Sequence, residues 1–378
     1  MSGELQARMA RSVGELDAEQ WDALTDGANP FVSHAFLSAL EDSGSVGGGS
    51  GWIPAPIVIE TAGGALLGAL PAYLKQHSQG EYVFDQSWAD AWRRAGGDYY
   101  PKLQISAPFT PATGPRILTR EPELALPLLR AAEQLCEANG LSSAHATFIE
   151  PEQQRFFERA GWLIRNDIQF HWENRGYASF DDFLGALSSR KRKDIRKERA
   201  KAREGLEIRH LTGEAIERDH WDAFWRFYQD TGQRKWGRPY LTRDAFALLD
   251  ERMAGRILLV MAFARGKPVA GALNFIGART LYGRYWGALV DQPFLHFEIC
   301  YYQAIDAAIA LGLDRVEAGA QGGHKLARGY EPVRTTSAHY IVDQGFREAV
   351  ADFLKRERAG IANDQSWLGQ RTPFRKEG

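Results

Sequence analysis

The fold of this chain is decided by two stretches that share one pattern: FFERAGWLIRNDIQFHWEN at residues 156–174 and HKLARGYEPVRTTSAHYIVD at residues 324–343. In each, a glycine and an aromatic residue follow a short helical piece, and a histidine and an aromatic residue follow in a strand-like run. One offset of 168 positions relates all the matches. The pairs are Gly161 and Gly329, Trp162 and Tyr330, His171 and His339, and Trp172 and Tyr340.

The elements that precede these stretches repeat as well. Residues 128–150 and 301–321 each predict an amphipathic helix, a capping glycine (Gly140 and Gly312) and a strand. Residues 66–74 resemble residues 268–276, and each is predicted to form one edge of a hairpin. We therefore predict a tandem duplication of one α/β (α+β) unit, in which each copy has a mixed, mostly antiparallel sheet flanked by helices.

The length of 378 residues favours two domains over a single core. The repeat predicts an N-terminal domain at residues 1–172 and a C-terminal domain at 173–345, which includes a basic helix at 188–204. Residues 346–378 are predicted to form a helical tail.

Composition excludes several classes of protein. A net charge of −2 provides no overall attraction to nucleic acid or membranes, so such a contact needs a local cluster of charge. Cys136 and Cys300 lie far apart and suggest neither a disulfide framework nor a metal site. We expect a cytoplasmic protein, because the N-terminus lacks a signal-peptide core and no run approaches the ~18 apolar residues of a membrane-spanning helix.

The order of elements in each copy is that of the GNAT acyltransferase fold. Several segments resemble the Fem-like group of tandem GNAT proteins: LSSRKRKDIRKERAKAREGLEIR (187–209), PVAGALNF (268–275), LYGRYWGA (281–288) and EAGAQGGHKLARGYEP (317–332). The resemblance implies two GNAT domains that transfer an acyl or aminoacyl group to an amine. In Fem-type relatives the donor is aminoacyl-tRNA and the acceptor is a cell-wall (peptidoglycan) precursor, so we expect no tightly bound cofactor.

One departure from the usual GNAT pattern leaves the donor open between aminoacyl-tRNA and acyl-CoA. A GNAT normally has a glycine-rich turn that binds the cofactor pyrophosphate at a helix start, whereas this chain has Asp291, Gln292, Pro293 and Phe294 there. Two alternatives remain: an acyl-CoA-dependent enzyme with an atypical cofactor site, and a non-catalytic module that recognises a cell-wall or lipid precursor.

Comparison of the two copies indicates candidate catalytic residues. At the offset of 168, His324, Lys325 and Arg328 correspond to Phe156, Phe157 and Ala160. We predict Glu317, His324 and Lys325 to be catalytic, because acyl transfer needs a proton acceptor and donors for the oxyanion. Arg328 is predicted to bind substrate. The alternative for Lys325 and Arg328 is a solvated helix face near Glu331.

Further substrate contacts are predicted around this segment, in a cleft between the two domains formed mainly by the second. Glu298 could instead complement the helix dipole as a first-turn acid, Tyr301 could pack in the core, and Arg284 could pair with Glu317. The predicted contacts are His296, Glu298, Arg284, Trp286, Tyr301 and Tyr330. An aromatic stretch of the first copy with Asp85, Tyr99, Tyr100 and Lys102 could line the same cleft or pack between the two halves.

The stretch SSRKRKDIRKERAKAR (188–203) is the strongest charge run in the chain. Its cations could bind tRNA phosphates or anionic lipid head groups in a peripheral membrane contact, although a solvated helix is the alternative. Its apolar content is too small for deep insertion into a membrane. The predicted tRNA or phosphate contacts are Arg190, Lys191, Arg192, Lys193, Arg196 and Lys197.

Overall fold

The computed structural model describes residues 5–235, 239–319 and 322–375. The chain forms two compact units. Unit 1 comprises residues up to 167 together with 334–363, and unit 2 comprises 168–333 together with the residues from 364 onward.

Unit 1 contains eight complete strands and five helices among its described residues. The strands are β1 (Leu5–Met9), β2 (Trp52–Pro54), β3 (Ile57–Thr61), β4 (Leu66–Leu70), β5 (Ala72–Lys75), β6 (Lys102–Ile105), β7 (Leu118–Thr119) and β8 (Ser143–Ala146). The helices are α1 (Ala18–Ala23), α2 (His34–Asp42), α3 (Gln86–Arg94), α4 (Ala125–Ala138) and α5 (Pro151–Arg159). Short 3-10 helices span Pro30–Val32 and Pro122–Leu124.

The strands of unit 1 form two groups. Strands β1, β3, β4 and β7 pair in that order and are antiparallel. Strands β2, β5 and β6 are also antiparallel, whereas β6 and β8 run parallel, with Leu103 opposite Ala144. A parallel pair needs a crossover, and α4 lies in the chain between these two strands.

Unit 2 follows the same plan. Its strands are β9 (Leu163–Glu173, entering from unit 1), β10 (Glu207–Leu211), β11 (Ile257–Ala264), β12 (Lys267–Ile276), β13 (Thr280–Ala288), β14 (Arg315–Glu317) and β15 (Glu331–Ile341, leaving to unit 1). Its helices are α6 (Phe180–Ala186), α7 (Ser189–Ala202), α8 (Arg218–Lys235), α9 (Arg243–Met253), α10 (Leu295–Phe297) and α11 (Gln303–Ala310). Between α10 and α11 lies a π-helical turn, Glu298–Tyr302, and short 3-10 helices span Gly213–Ala215, Ala254–Arg256 and Gly323–Arg328. Helix α12 (Gln344–Gly369) begins in unit 1 and ends in unit 2.

Strands β10 to β13 of unit 2 form an antiparallel meander, and β13 pairs with β14 in parallel. Strand β11 reads ILLVMAFA and is buried along nearly its whole length, as a central strand covered on both faces must be. The observed strand order and the flanking helices confirm the predicted α/β class with mixed, mostly antiparallel sheets.

Each unit completes its sheet with part of a long strand from the other copy of the repeat. In unit 2, β14 pairs with the end of β9, with Glu317 opposite His171. In unit 1, β8 pairs with the end of β15, with His145 opposite His339. The observed division therefore differs from the one drawn from sequence, because residues 334–345 and most of the predicted tail belong to unit 1.

The turn after each repeated helix has the same hydrogen bonds in both copies. Trp162 N donates to Phe157 O at 3.0 Å, and Tyr330 N donates to Lys325 O at 3.3 Å. Gly161 and Gly329 both adopt positive φ, at 79° and 87°. The offset of 168 thus describes equivalent positions in three dimensions. Within the described residues, no helix is both long and apolar enough to cross a membrane.

We predict that Gly329→Ala destabilises the protein more than Gly312→Ala. Both glycines end helices of unit 2 with positive φ, which costs a non-glycine residue about 1 kcal/mol. A Cβ at Gly329 would also lie 2.6 Å from Phe183 Cζ, whereas one at Gly312 meets nothing within 4 Å. The clash should add about 1–3 kcal/mol, measured as a lower urea midpoint. Equal midpoints for the two variants would contradict the close packing of Phe183.

Candidate functional site

The site lies in unit 2, where two parallel strands separate. The ladder between β13 and β14 ends at Tyr282 and Glu317, and β13 continues to Ala288 with β12 on its other edge. Among the described strands, none pairs with residues 283–288 on the β14 side. The chain turns away after Glu317 at Gly319, where φ is 79°.

Five side chains meet beside this part of β13 and are called here the Lys325 cluster: Trp286, His296, Tyr301, His324 and Lys325. The ring of His296 lies 4.4 Å from that of Trp286 and 5.2 Å from that of Tyr301. A hydrogen bond of 2.9 Å joins the Tyr301 hydroxyl to His324 Nε2. His324 is exposed, Trp286 and His296 are half-buried, and Tyr301 is buried.

Lys325 is a buried amine beneath these rings, with only 1% of its surface exposed. Its Nζ donates to Gly319 O at 2.8 Å and lies 5.9 Å from the centre of the Tyr301 ring. Within the described residues no carboxylate pairs with it. Burial lowers the pKa of Lys325 to about 7; Cys300 opposes this shift, and the smaller effect of the Arg284 charge adds to it. At neutral pH the amine therefore exchanges readily between its charged and neutral forms.

The equivalent position in unit 1 is Phe157, which is fully buried and packs on Trp162 with ring centres 5.3 Å apart. Unit 1 also fills the place where its parallel strands separate. Arg116, 1% exposed, donates there to Thr147 O and Ala112 O, both at 2.8 Å. An amine thus occupies in unit 2 a core position that takes a phenyl ring in unit 1.

Glu317 lies at the end of β14 and is buried. Its Oε1 is 4.0 Å from Nδ1 of His171 on the paired strand. Burial, with the charges of Arg315 and Lys325, lowers the pKa of His171 to about 3. The imidazole is consequently neutral at physiological pH, and the contact is not an ion pair. The catalytic role predicted for Glu317 stays a prediction.

Three of the predicted substrate contacts have internal partners. Glu298 is fully buried and accepts from Arg199 and Arg203 at 3.1 and 2.7 Å, and from Gln303 at 2.6 Å. Tyr330 is buried and its hydroxyl donates to Tyr301 O at 3.3 Å. The third residue is Arg328.

Arg328 donates to both oxygens of Glu198 at 3.0 Å and stacks 3.4 Å from the centre of the Phe297 ring. Arg328 and Lys325 are both buried, so the alternative of a solvated helix face is wrong. The spacing of three placed both residues on one short helix, but only the fold shows that this helix is inside the protein. Arg284 is half-buried on β13, with its guanidinium 5.2 Å from the Tyr285 ring centre.

The predicted basic helix is α7, and its two faces differ. Arg199 and Arg203 point inward to Glu298 and Asp306, while Arg196 pairs with the exposed Asp181 at 2.9 Å. The remaining predicted phosphate contacts are exposed or half-buried cations with no carboxylate partner among the described residues. These are Arg190, Lys191, Arg192, Lys193 and Lys197.

Unit 1 contains a second buried amine, Lys102, within a network of charged and polar side chains. The sequence did not predict this network. Lys102 donates to Glu81 at 2.7 Å and to Asp85 at 2.5 Å, and the Tyr99 hydroxyl donates to the same Asp85 oxygen at 2.7 Å. All four side chains are buried and bonded to one another, which does not favour a wall of a ligand cleft. A lysine within the strand sequence KLQI was the available signal, since a buried strand tolerates an ammonium only beside carboxylates.

The architecture is that of two tandem GNAT-like units with a buried amine in the second. The FemAB-like family, described as peptidoglycan biosynthesis/recognition, matches residues 12–376, and the chain belongs to this family. The predicted resemblance to Fem-like proteins is therefore confirmed. No curated protein matches the chain significantly.

Solved structures with the same fold share little sequence. FemX superimposes with a TM-score of 0.55 and 11% identity, covering 89% of this chain and 98% of FemX. The C-terminal domain of a putative lysylphosphatidylglycerol synthetase from Agrobacterium fabrum gives a TM-score of 0.53 at 11% identity, covering 90% and 96%. L-PGS from Bacillus licheniformis superimposes with a TM-score of 0.51 at 11% identity, covering 88% of this chain and 97% of L-PGS. At such identities the likeness establishes the fold.

We predict that Lys325→Met stabilises the protein at neutral pH. The folded protein binds the amine proton only below about pH 7, whereas the unfolded chain holds it up to the ordinary value of 10.5. The cost of the buried amine is therefore full below pH 7 and disappears as the pH rises toward 10.5. The variant should gain a few kcal/mol in free energy of unfolding near pH 7, at about 1.4 kcal/mol per pKa unit.

Urea unfolding of both proteins between neutral pH and about pH 10 measures this effect. Lys267→Met, at an exposed position of the same unit, is the control and should change stability little at any pH. A gain for Lys325→Met that stays constant with pH would contradict the lowered pKa.

Proposed function

We propose that this protein is an acyl- or aminoacyltransferase that acts on the amine of a peptidoglycan or lipid precursor, with the Lys325 cluster as its reaction centre. The observation that carries the proposal is the buried amine of Lys325, whose pKa is lowered to about 7 near the part of β13 that continues past its ladder with β14. Membership of the FemAB-like family and the fold shared with FemX support the same class of reaction.

Lys325 suits the proton transfer that amide formation requires. The acceptor amine attacks the carbonyl carbon of the donor, and a C–N bond forms while the bond to the leaving oxygen or sulfur breaks. The neutral Lys325 amine accepts the proton that the acceptor loses. The resulting ammonium then donates a proton to the leaving group, which restores the starting state. A base with a pKa near the working pH performs both steps well.

The surrounding rings suit a positioning role. Trp286 and His296 form a half-buried aromatic surface at the C-terminal half of β13. The exposed His324, held by the Tyr301 hydroxyl, then stands at the solvent side of the reacting groups.

Aminoacyl-tRNA is the donor that we favour over acyl-CoA. The loop before α10 contains Pro293, which has no N–H, and the carboxylate of Asp291, which repels phosphate. Its Gln292 side chain donates to Lys201 O at 2.9 Å, so the loop is tied to α7. These features disfavour the pyrophosphate contacts of a CoA-dependent enzyme.

A transfer assay tests the proposal. Purified protein is incubated with mixed labelled aminoacyl-tRNAs and, separately, with acyl-CoAs, each with an extract of peptidoglycan and lipid precursors, and products are identified by mass spectrometry. We expect Lys325→Met and Lys325→Arg each to lower kcat by about 10²–10⁴-fold, because neither side chain can serve as the base. Lys267→Met should be fully active.

The pH profile separates a base from a fixed charge. Wild-type activity should rise with pH through about 7 as Lys325 loses its proton, and then level off. Activity that survives in Lys325→Met would refute this role. Tight binding of a precursor without transfer from any donor would favour a recognition module instead.

Calorimetry with CoA provides an independent test of the donor. We expect no saturable binding of CoA to the purified protein. In the loop before α10, Pro293 has no N–H to donate to a phosphate, and the carboxylate of Asp291 repels one. The control is a titration with an aminoacyl-tRNA prepared with a stable amide linkage. If the wild type and Lys325→Met both bind CoA tightly, the donor is acyl-CoA and the preference for aminoacyl-tRNA is wrong.

A further inference from the structure

An exposed apolar loop separates β13 from α10 in unit 2. Leu289, Val290 and Phe294 are 52%, 39% and 42% exposed, which is unusual for three large apolar side chains in one short loop. Single exposed apolar residues need no explanation, but a cluster marks a contact surface.

The backbone holds Phe294 in an unfavourable conformation. Its φ of 64° is in the left-handed region, which costs an aromatic residue about 1–2 kcal/mol. The loop is nevertheless well anchored: Leu295 N donates to Gln292 O at 3.2 Å, and Glu298 N donates to Phe294 O at 3.0 Å. The backbone hydrogen bonds of the loop therefore hold the Phe294 ring in its exposed position.

The apolar loop adjoins the cationic face of α7. Gln292 Nε2 donates to Lys201 O at 2.9 Å, which ties the loop to the end of that helix. A pocket of about 420 Å³ brings Phe294 together with cations of α7 and with part of the helix that bears Lys325. Its charged lining residues are Lys191, Asp194, Lys197, Glu198, Lys201 and Arg328.

The charge of this surface is positive. Helix α7 has eight lysines and arginines against Asp194 and Glu198. The Glu198 carboxylate is occupied by Arg328 and by the Tyr302 hydroxyl, at 3.0 and 2.5 Å. Lys201 pairs with the exposed Glu204 at 2.9 Å, an interaction that an anionic surface would easily replace.

We propose that α7 and the loop 289–294 form a binding surface for an anionic phospholipid bilayer. The cations bind lipid phosphates, and Leu289, Val290 and Phe294 enter the interfacial region. Cations and apolar side chains together provide the two signals that stable peripheral binding needs. An RNA would satisfy the cations but would leave Leu289 and Val290 in water, so a membrane accounts for more of this surface. The inference does not depend on the proposed transfer activity.

Vesicle co-sedimentation of the full-length protein tests this inference. The vesicles contain phosphatidylcholine alone or mixed with phosphatidylglycerol, at low and at physiological salt. We expect binding to the mixed vesicles only. Lys197→Gln/Lys201→Gln should weaken it about tenfold or more, since each lysine near an anionic surface is worth ~1 kcal/mol. Phe294→Asn, which suits the left-handed backbone and retains the fold, should also weaken it about tenfold.

Two substitutions in unit 2 serve as matched controls. Leu311→Gln removes an equally exposed leucine outside the loop, and Lys267→Gln removes an exposed lysine outside α7. Both should bind vesicles as the wild type does. Added salt should weaken vesicle binding by the same factor for the wild type and for Phe294→Asn, because salt screens the charge of the cations and not the apolar contact.

Failure to bind the mixed vesicles would overturn the proposal. So would binding that Phe294→Asn leaves unchanged. A gel-shift titration with bulk tRNA is run in parallel on the same variants. One outcome would identify α7 as an RNA surface and refute the membrane proposal. In that outcome the protein binds tRNA, the double variant Lys197→Gln/Lys201→Gln binds tRNA more weakly, and no vesicle binding is seen.

Discussion

The need to pair two strand edges governs the structure. Strands β8 and β14 each have a parallel neighbour on one edge and would present unpaired backbone groups on the other. Each edge is satisfied by the end of a long strand from the other copy of the repeat, β15 for β8 and β9 for β14. A simple division of the sequence into halves therefore fails, since neither half contains all the strands of its unit. The same pairing sets His171 opposite Glu317, next to the place where β13 loses its neighbour.

A second constraint joins the site to the basic helix. The buried Glu298 carboxylate in the π-helical turn accepts from Arg199 of α7 and from Arg203, which follows the end of that helix. The turn also positions Tyr301, which contacts His324 above Lys325. A buried carboxylate needs such donors, because it would otherwise be an uncompensated charge. Helix α7 therefore has an inward face that supports the Lys325 cluster and an outward face whose cations are available for other contacts.

Comparison of the two copies predicted more of this protein than composition or single motifs. The offset of 168 correctly aligned Gly161 with Gly329 and Phe157 with Lys325, and strands β9 and β15 begin and end at positions related by it. It could not show the partners of each side chain. Arg328 pairs with Glu198, and Glu298 pairs with Arg199 and Arg203, across large sequence separations that local spacing does not encode. The buried Lys102 network of unit 1 was missed for the same reason.

The sequence by itself determined the duplication, the α/β class and the family resemblance. It also provided the set of candidate residues that includes Lys325. These results were accessible because periodicity and internal repetition can be read directly from the sequence. The tertiary structure decided which of those residues are buried and what they face. The low pKa of Lys325 arises from the removal of water and the absence of a described carboxylate beside it, and both depend on segments distant in sequence. The exposure of Phe294 beside the lysines of α7 was decided in the same way. Burial is a property of the whole packed chain.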